Sequence, residues 1–135
     1  MTSDPYYFTI EVDPSDIDFM GHVNNTSYLK WIQTATISHW RTLAPPAALA
    51  TYAWVAVKHE ITYRKPAYLP DDLVAVVQLE RVQRESAFYE TIICRGNETL
   101  VEAKSRWCCL DAETMRPARL PDDVVDTFMR VDQCG

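Results

Sequence analysis

Apolar and polar positions alternate along the first dozen residues of the chain. Tyr6, Phe8, Ile10 and Val12 fall on one side and Tyr7, Thr9 and Glu11 on the other, a period of two that predicts a strand over residues 6 to 12. The next stretch, "VDPSDIDFMGHVNN", loses that period and has the Pro, Gly, Asp and Asn content of a loop. Near Asn25 a helical period takes over. At about 100° per residue, Tyr28, Trp31, Ile32, Ala35, His39 and Leu43 share one face, while Lys30, Thr34, Ser38 and Arg41 fall opposite. Leu29, Ile37 and Trp40 lie outside that stripe and are candidates for contact with a second subunit, although isolated surface hydrophobes are common. Pro45 and Pro46 end the helix after about five turns.

Four strand-like runs follow, over residues 52 to 63, 73 to 82, 87 to 95 and 100 to 110. "PAYLPDD", "QRES" and a tight "GNE" turn separate them. "LPDDVVDTFMR" predicts a short closing helix, with Asp122 and Asp123 in the first turn where the helix dipole favours them. One strand, one long helix and four successive strands predict an α+β architecture: a curved five-stranded antiparallel sheet wrapped around a single central helix. Such a sheet has two open edges, and dimerisation through them removes that liability.

Composition narrows the function. With 47% apolar and 24% charged residues in 135, the chain reads as one globular domain spanning residues 1–135. A formal charge of −6 offers no overall field for nucleic acid or an anionic membrane. No apolar run approaches the roughly 18 residues of a spanning helix, and "MTSDPYYFTI" lacks the pattern of a secretory leader, so a cytoplasmic location is expected. Cys94, Cys108, Cys109 and Cys134 have no metal-ligand spacing and no Cys-x-x-Cys, which suits core filler in a reducing compartment. Neighbouring Cys108 and Cys109 on a strand point to opposite faces.

The chemistry concentrates in "DIDFMGHVNN", residues 16 to 25. A helix N-terminus carries unpaired backbone N–H groups and about half a positive charge, enough to bind an anion or a carbonyl oxygen that becomes negative during attack. Asp18 and His22 stand beside that terminus and can act on a proton or on an acyl carbon. A carboxylate base or nucleophile with an oxyanion site suits hydrolysis of an activated acyl group, and a thioester above all, because thiolate leaves with little acid assistance. The structural alternative stands beside it: Asn24 or Asn25 caps the helix, and Asp16 or Asp18 braces the loop through its own backbone. Gly21 supplies a positive φ or a close backbone approach.

"DIDFMGHVNNTSYLKW" resembles the D-x-D-x-x-G-H-V-N-N-x-x-Y signature of hotdog-fold thioesterases, which include the 4-hydroxybenzoyl-CoA thioesterase-like acyl-CoA thioesterases and the plant acyl-acyl-carrier-protein thioesterases. "ITYRKPAYLPDDL" and "VEAKSRWCCLDAETMRPARLP" resemble later parts of the same family, so the similarity covers about residues 8 to 128. The resemblance implies the hotdog fold, a homodimer or homotetramer with the site at the subunit interface, and thioester cleavage with no metal or organic cofactor. It implies a catalytic carboxylate at Asp18 and oxyanion-binding N–H groups near Asn25 and Thr26. Two departures count. The benzoyl-specific enzyme has an apolar residue where this chain has His22, and the plant catalytic set is incomplete, with Met20, Pro66 and Ala67 at its other positions. His22 therefore either assists Asp18 or only braces the loop. Asp18 either activates water or attacks the acyl carbon directly, and Asn25 is placed to position water or the carbonyl.

The remaining candidates are weaker. Phe19, Tyr28, Trp31 and Trp54 either line an acyl channel or fill the core. His59, Arg64 and Lys65, with Lys58, Arg81 and Arg84, are candidate contacts for the phosphates of CoA or of a carrier protein, or else a solvated strand face. His39, on the apolar stripe, reads as a buried hydrogen-bonded core residue. A hotdog hydratase or dehydratase is a rival reading, but its Asp-x-x-x-x-His and His-Gly-Gly patterns are missing. A non-catalytic acyl-CoA sensor usually needs an attached DNA-binding segment, which this sequence does not show.

Overall fold

The computed structural model describes residues 3 to 129. Strand β1 covers Tyr6–Ile10, helix α1 Asn25–Leu43 and helix α2 Pro46–Thr51. Strands β2 (Tyr52–Tyr63), β3 (Leu73–Gln83), β4 (Ser86–Arg95) and β5 (Glu98–Asp111) follow, and helix α3 is Asp122–Phe128. All pairings are antiparallel, in the order β1-β3-β4-β5-β2. The chain leaves one edge of the sheet at β1, crosses the concave face as α1, and re-enters at the far edge as β2. This is the expected sheet folded over a single long helix.

Two local differences have physical reasons. Strand β1 stops at Ile10 rather than residue 12, because Asp13 caps a 3-10 turn at Pro14–Asp16 and takes the backbone N–H of Ser15 at 2.9 Å. Helix α2 departs from the sequence expectation, in which a double proline reads as a stop. Pro46 occupies the first turn of a new helix, where a missing N–H costs nothing.

A bulge decides which side chains of β2 look inward. Its register with β5 slips between Ala56 and Lys58, so Val57 is an extra residue. One inserted residue exchanges the faces of a strand. Trp54 and Ala56 are inward before it; His59, Ile61 and Tyr63 are inward after it. A second slip on β3, between Leu79 and Arg81, leaves the Arg81 guanidinium 3.8 Å over the Phe88 ring.

The core lies between α1 and the concave sheet face. Ile32 and Ala35 of α1 are fully enclosed, as are Val77, Leu79, Ile93 and Val101 of the sheet. Trp40 differs from expectation. It does not face outward but is buried, with its ring 5.5 Å from that of Trp54 and 5.0 Å from that of Phe128. Helix α3 brings Phe128 over the end of the helix stripe and widens it. Leu29 and Ile37 are half-buried. His39 is the expected core histidine: its Nδ1 lies 2.8 Å from the Tyr89 hydroxyl, and burial pushes its pKa down to about 4. Cys109 is buried, with its thiol pushed up to about 12 by that burial, whereas Cys108 is only half-buried on the opposite face. Cys94, Cys108 and Cys109 are free thiols, and Cys134 lies outside the described residues.

Candidate active site

The loop before α1 is a closed hairpin. Ile17 and Val23 form an isolated antiparallel bridge, the Asp18 N–H donates to the His22 carbonyl at 2.8 Å, and Gly21 turns the chain with φ of +79°. That left-handed backbone is the reason for glycine at this position. Val23 donates its N–H to the Ala67 carbonyl at 2.9 Å, and the Ala67 N–H donates to the Tyr28 hydroxyl at 2.9 Å. The segment "YRKPA" is thereby tied to both the loop and the helix.

The two aspartates of the motif have different surroundings. Asp16 is buried, with its carboxylate accepting from the Asp13 N–H at 2.8 Å, the Ser27 hydroxyl at 2.7 Å and the Lys30 ammonium at 3.3 Å. Burial pushes its pKa up, but those three donors outweigh it and hold the carboxyl below its ordinary value. Asp18 uses one oxygen, Oδ1, which accepts from the N–H groups of Met20 at 2.9 Å and His22 at 3.2 Å. Its other oxygen, Oδ2, has no hydrogen-bond partner among the described residues.

Asn24 caps α1. Its side-chain oxygen accepts from the Ser27 N–H at 3.0 Å and from the Thr26 hydroxyl, and its amide donates to the Asp16 carbonyl at 3.0 Å. Asn25 is therefore the first helical residue and not the cap. Because the cap reaches Ser27, the backbone N–H groups of Asn25 and Thr26 have no acceptor among the described residues. They are the expected orphan donors of a helix start.

Asp18, His22, Asn25 and Tyr28 line one open cavity of about 250 Å³, with Tyr63, Arg64, Lys65 and Pro66 on its other wall. Tyr63 is the member that sequence reasoning passed over. Its position on the His59–Ile61–Tyr63 face was the available signal, and its ring lies 5.6 Å from that of Tyr28. His22 turns its ring edge-on to Tyr68, with centroids 5.3 Å apart, and that ring, unlike the His22 backbone N–H, makes no hydrogen bond to the Asp18 carboxylate. Arg64 and Lys65 sit at the rim already paired, with Glu102 at 2.7 Å and Glu98 at 2.8 Å.

Three other candidates lie elsewhere. Phe19 is 97% exposed and outside the cavity. His59 hydrogen-bonds the Ser105 hydroxyl at 2.6 Å, with its other nitrogen 3.4 Å from the Gln33 amide, and burial lowers its pKa. Trp54 packs on Trp40 at the opposite end of β2. Among the described residues no three His, Cys, Asp or Glu side chains are grouped to hold a metal ion.

An antiparallel five-stranded sheet folded over one long helix, with polar chemistry at that helix's N-terminus, is the hotdog architecture of thioester hydrolases. The family model of the thioesterase-like superfamily matches residues 12–128, and the chain belongs to that superfamily. It is similar to the long-chain acyl-CoA thioesterase FadM of Escherichia coli strain K12, with 27% identity over 122 residues, covering 85% of this chain and 90% of that protein. Among solved structures it resembles a protein described as a probable thioesterase from Bartonella henselae, with a TM-score of 0.75 and 26% identity over 87% of this chain and 98% of that one. A thioesterase from Thermus thermophilus, crystallised with coenzyme A and zinc, shares the fold with a TM-score of 0.79 and 23% identity, covering 92% and 97% of the two chains.

Proposed function

We propose that this chain is an acyl-CoA thioesterase in which Asp18 is the base and the start of α1 is the oxyanion site. The observation that carries the reading is the half-used carboxylate of Asp18. Two backbone N–H groups fix one of its oxygens, the other has no hydrogen-bond partner among the described residues, and Asp18 lines the cavity that also holds Asn25. In the reaction, Oδ2 takes a proton from water while the water oxygen adds to the thioester carbon. The carbonyl oxygen gains negative charge beside the Asn25 and Thr26 N–H groups and the positive end of the helix. The C–S bond then breaks, and the thiolate leaves and takes up the proton. Similarity to an acyl-CoA thioesterase and to a structure holding coenzyme A supports CoA as the thiol carrier.

Asp18→Asn tests the assignment. The fold is retained, since the substituted amide keeps an oxygen for the Met20 and His22 N–H groups, and acyl-CoA hydrolysis falls by roughly a thousandfold. A variant that keeps its rate removes Asp18 from the mechanism. Direct attack by Asp18, through a mixed anhydride, is the competing route. Single-turnover reaction in oxygen-18 water separates the two, because water attack on an anhydride at the aspartyl carbon leaves label in Asp18.

The same proposal includes a homo-oligomer. Strand β2 is a long edge that leaves Val55 47% and Val57 51% exposed, and pairing it with β2 of a second copy covers both. Sedimentation should then give a dimer, or a tetramer built from dimers, and Val55→Lys/Val57→Lys should give a monomer. A wild-type monomer at micromolar concentration overturns this part. No helix among the described residues is long and apolar enough to cross a membrane, and three free thiols fit the reducing cytoplasm proposed as the enzyme's location.

A further inference from the structure

Helix α1 and strand β2 run side by side in opposite directions, and side chains join them at three levels. Tyr28 meets Tyr63 with centroids 5.6 Å apart, Gln33 meets His59 at 3.4 Å, and Trp40 meets Trp54 with centroids 5.5 Å apart. The candidate active site lies at the first level. At the last, an open cleft of about 700 Å³ is lined by Gln33, Ile37, Trp54 and Trp107, among others. A second, much smaller space of about 10 Å³ shares Ile37, Trp54 and Trp107 as walls and is lined also by Tyr89 and Phe128. Tyr28 and Trp40 are twelve residues apart on one helix, so the two ends of this run are separated by roughly 18 Å.

The far end carries an unmet requirement. The indole N–H groups of Trp54 and Trp107 are both buried without a hydrogen-bond partner among the described residues. An indole nitrogen can only donate, and a buried donor without an acceptor is costly. The two side chains are neighbours on one face: Trp54 pairs with Cys109 and Ala56 with Trp107, which places the tryptophans diagonally across β2 and β5. The hydroxyl groups that line the smaller space are engaged. The Tyr89 hydroxyl bonds His39, and the Thr36 hydroxyl donates to the Ile32 carbonyl. Arg41 lines the open cleft but not the smaller space, so that end offers no cation to a carboxylate. What fits buried indole donors in an aromatic wall is a neutral acceptor oxygen.

We propose that the cleft beside α1 receives the acyl chain of the substrate, and that Trp54 and Trp107 donate to a neutral oxygen near that chain's far end. The preferred substrates are then long acyl thioesters bearing a distal keto or hydroxyl oxygen rather than saturated ones. This inference rests on the thioesterase reading for the identity of its ligand. A site built to hydrogen-bond a substrate group discriminates strongly against the analogue that lacks it, because its own donors are left unpaired.

The test uses hexadecanoyl-CoA, whose chain is long enough to span that run, and its analogue with a keto group on the penultimate carbon. Wild-type protein should show at least about a tenfold higher kcat/KM for the keto ester. In Trp54→Phe/Trp107→Phe, which keeps aromatic bulk and removes both donors, that ratio should fall to about one. Equal kcat/KM values in the wild type, or a preference that survives the double substitution, overturn the proposal. Nitrogen-15 spectra of the wild type, titrated with the two free acids, give a readout that needs neither turnover nor a variant. The Trp54 and Trp107 indole N–H resonances should move downfield with the keto acid and not with hexadecanoic acid; no response, or the same response to both, overturns the proposal. Failure of both esters to be hydrolysed sinks the thioesterase reading instead, and the indole spectra then decide the binding site on their own.

Discussion

Asp16 and Asp18 are two residues apart in one loop, and they show how the same side chain serves structure in one setting and chemistry in another. Asp16 faces the interior, where a backbone N–H, a hydroxyl and an ammonium share its two oxygens. It ties the turn after β1 to the first turns of α1, and both of its oxygens are engaged. Asp18 faces a cavity, and only one of its oxygens is taken. The same division runs through the next pair of residues. Asn24 is consumed by the cap, while Asn25 and Thr26 keep their N–H groups open. In this loop, residues with complete hydrogen bonding hold the geometry, and those with a surplus are the ones available to a substrate.

The largest effect that breaks or sharpens this contrast comes from exchanging the same atom at both positions. Asp18→Asn should remove roughly a thousandfold of activity and leave stability nearly unchanged. Asp16→Asn should do the opposite. The new NH2 group points a donor at the Asp13 N–H or at the Ser27 hydroxyl, and folding stability falls by about 2–4 kcal/mol. Protein that remains folded should keep a rate within a few-fold of wild type. Denaturant unfolding and steady-state kinetics on the two variants decide the matter. A catalytic collapse in Asp16→Asn without loss of stability would reverse the roles assigned here.

A smaller effect separates the loop from the core. His39 is neutral in the folded protein, with its pKa driven from an ordinary value near 6.5 to about 4 by burial. The titratable groups around it are Tyr6 and Tyr89, with Phe128 closing the other side, so no carboxylate is at hand to favour the cation. The unfolded chain therefore binds a proton that the folded chain refuses between those two values. Stability is complete above about pH 6.5 and declines as pH falls towards 4, by about 3 kcal/mol at full extent. Asp16 has the other signature. Its lowered pKa adds stability that is present above the ordinary carboxyl range and is lost only as pH falls through the lowered value. Unfolding free energies at pH 7 and pH 4.5 should show a clear drop in wild type and a much smaller one in His39→Gln. Equal slopes would remove His39 as the cause.

Much of this was readable from the residues. The bounds of β2, the start of α1, the turn at Gly96 and the positive φ at Gly21 follow from local period and local chemistry. What escaped depends on contacts made across the fold. "WVAVKHEI" reads as an even strand, and nothing in it announces that Val57 bulges and exchanges the faces. Trp40 looks peripheral on a helical wheel and is buried only because Trp54 and Phe128, distant in sequence, close over it. The acid pair shows the same limit. Sequence pattern offered both aspartates, the resemblance pointed to Asp18, and only the bonding around each shows which carboxylate has an oxygen to spare.

His22 offers the finest test of the same contrast, with the smallest expected effect. Its backbone belongs to the geometry, since its N–H donates to Asp18 and its carbonyl accepts from Asp18. Any residue supplies those two groups. Its imidazole leans on Tyr68 and makes no bond to the carboxylate, so the side chain shapes the cavity wall without setting the base. His22→Gln should therefore lower kcat/KM by no more than about tenfold, roughly 1.4 kcal/mol, with a pH profile that superimposes on that of the wild type. Should the variant fall as far as Asp18→Asn, and lose a limb of that profile, the imidazole takes part in the chemistry once substrate is bound. The surplus of bonding capacity in this loop would then be shared by two side chains rather than held by one.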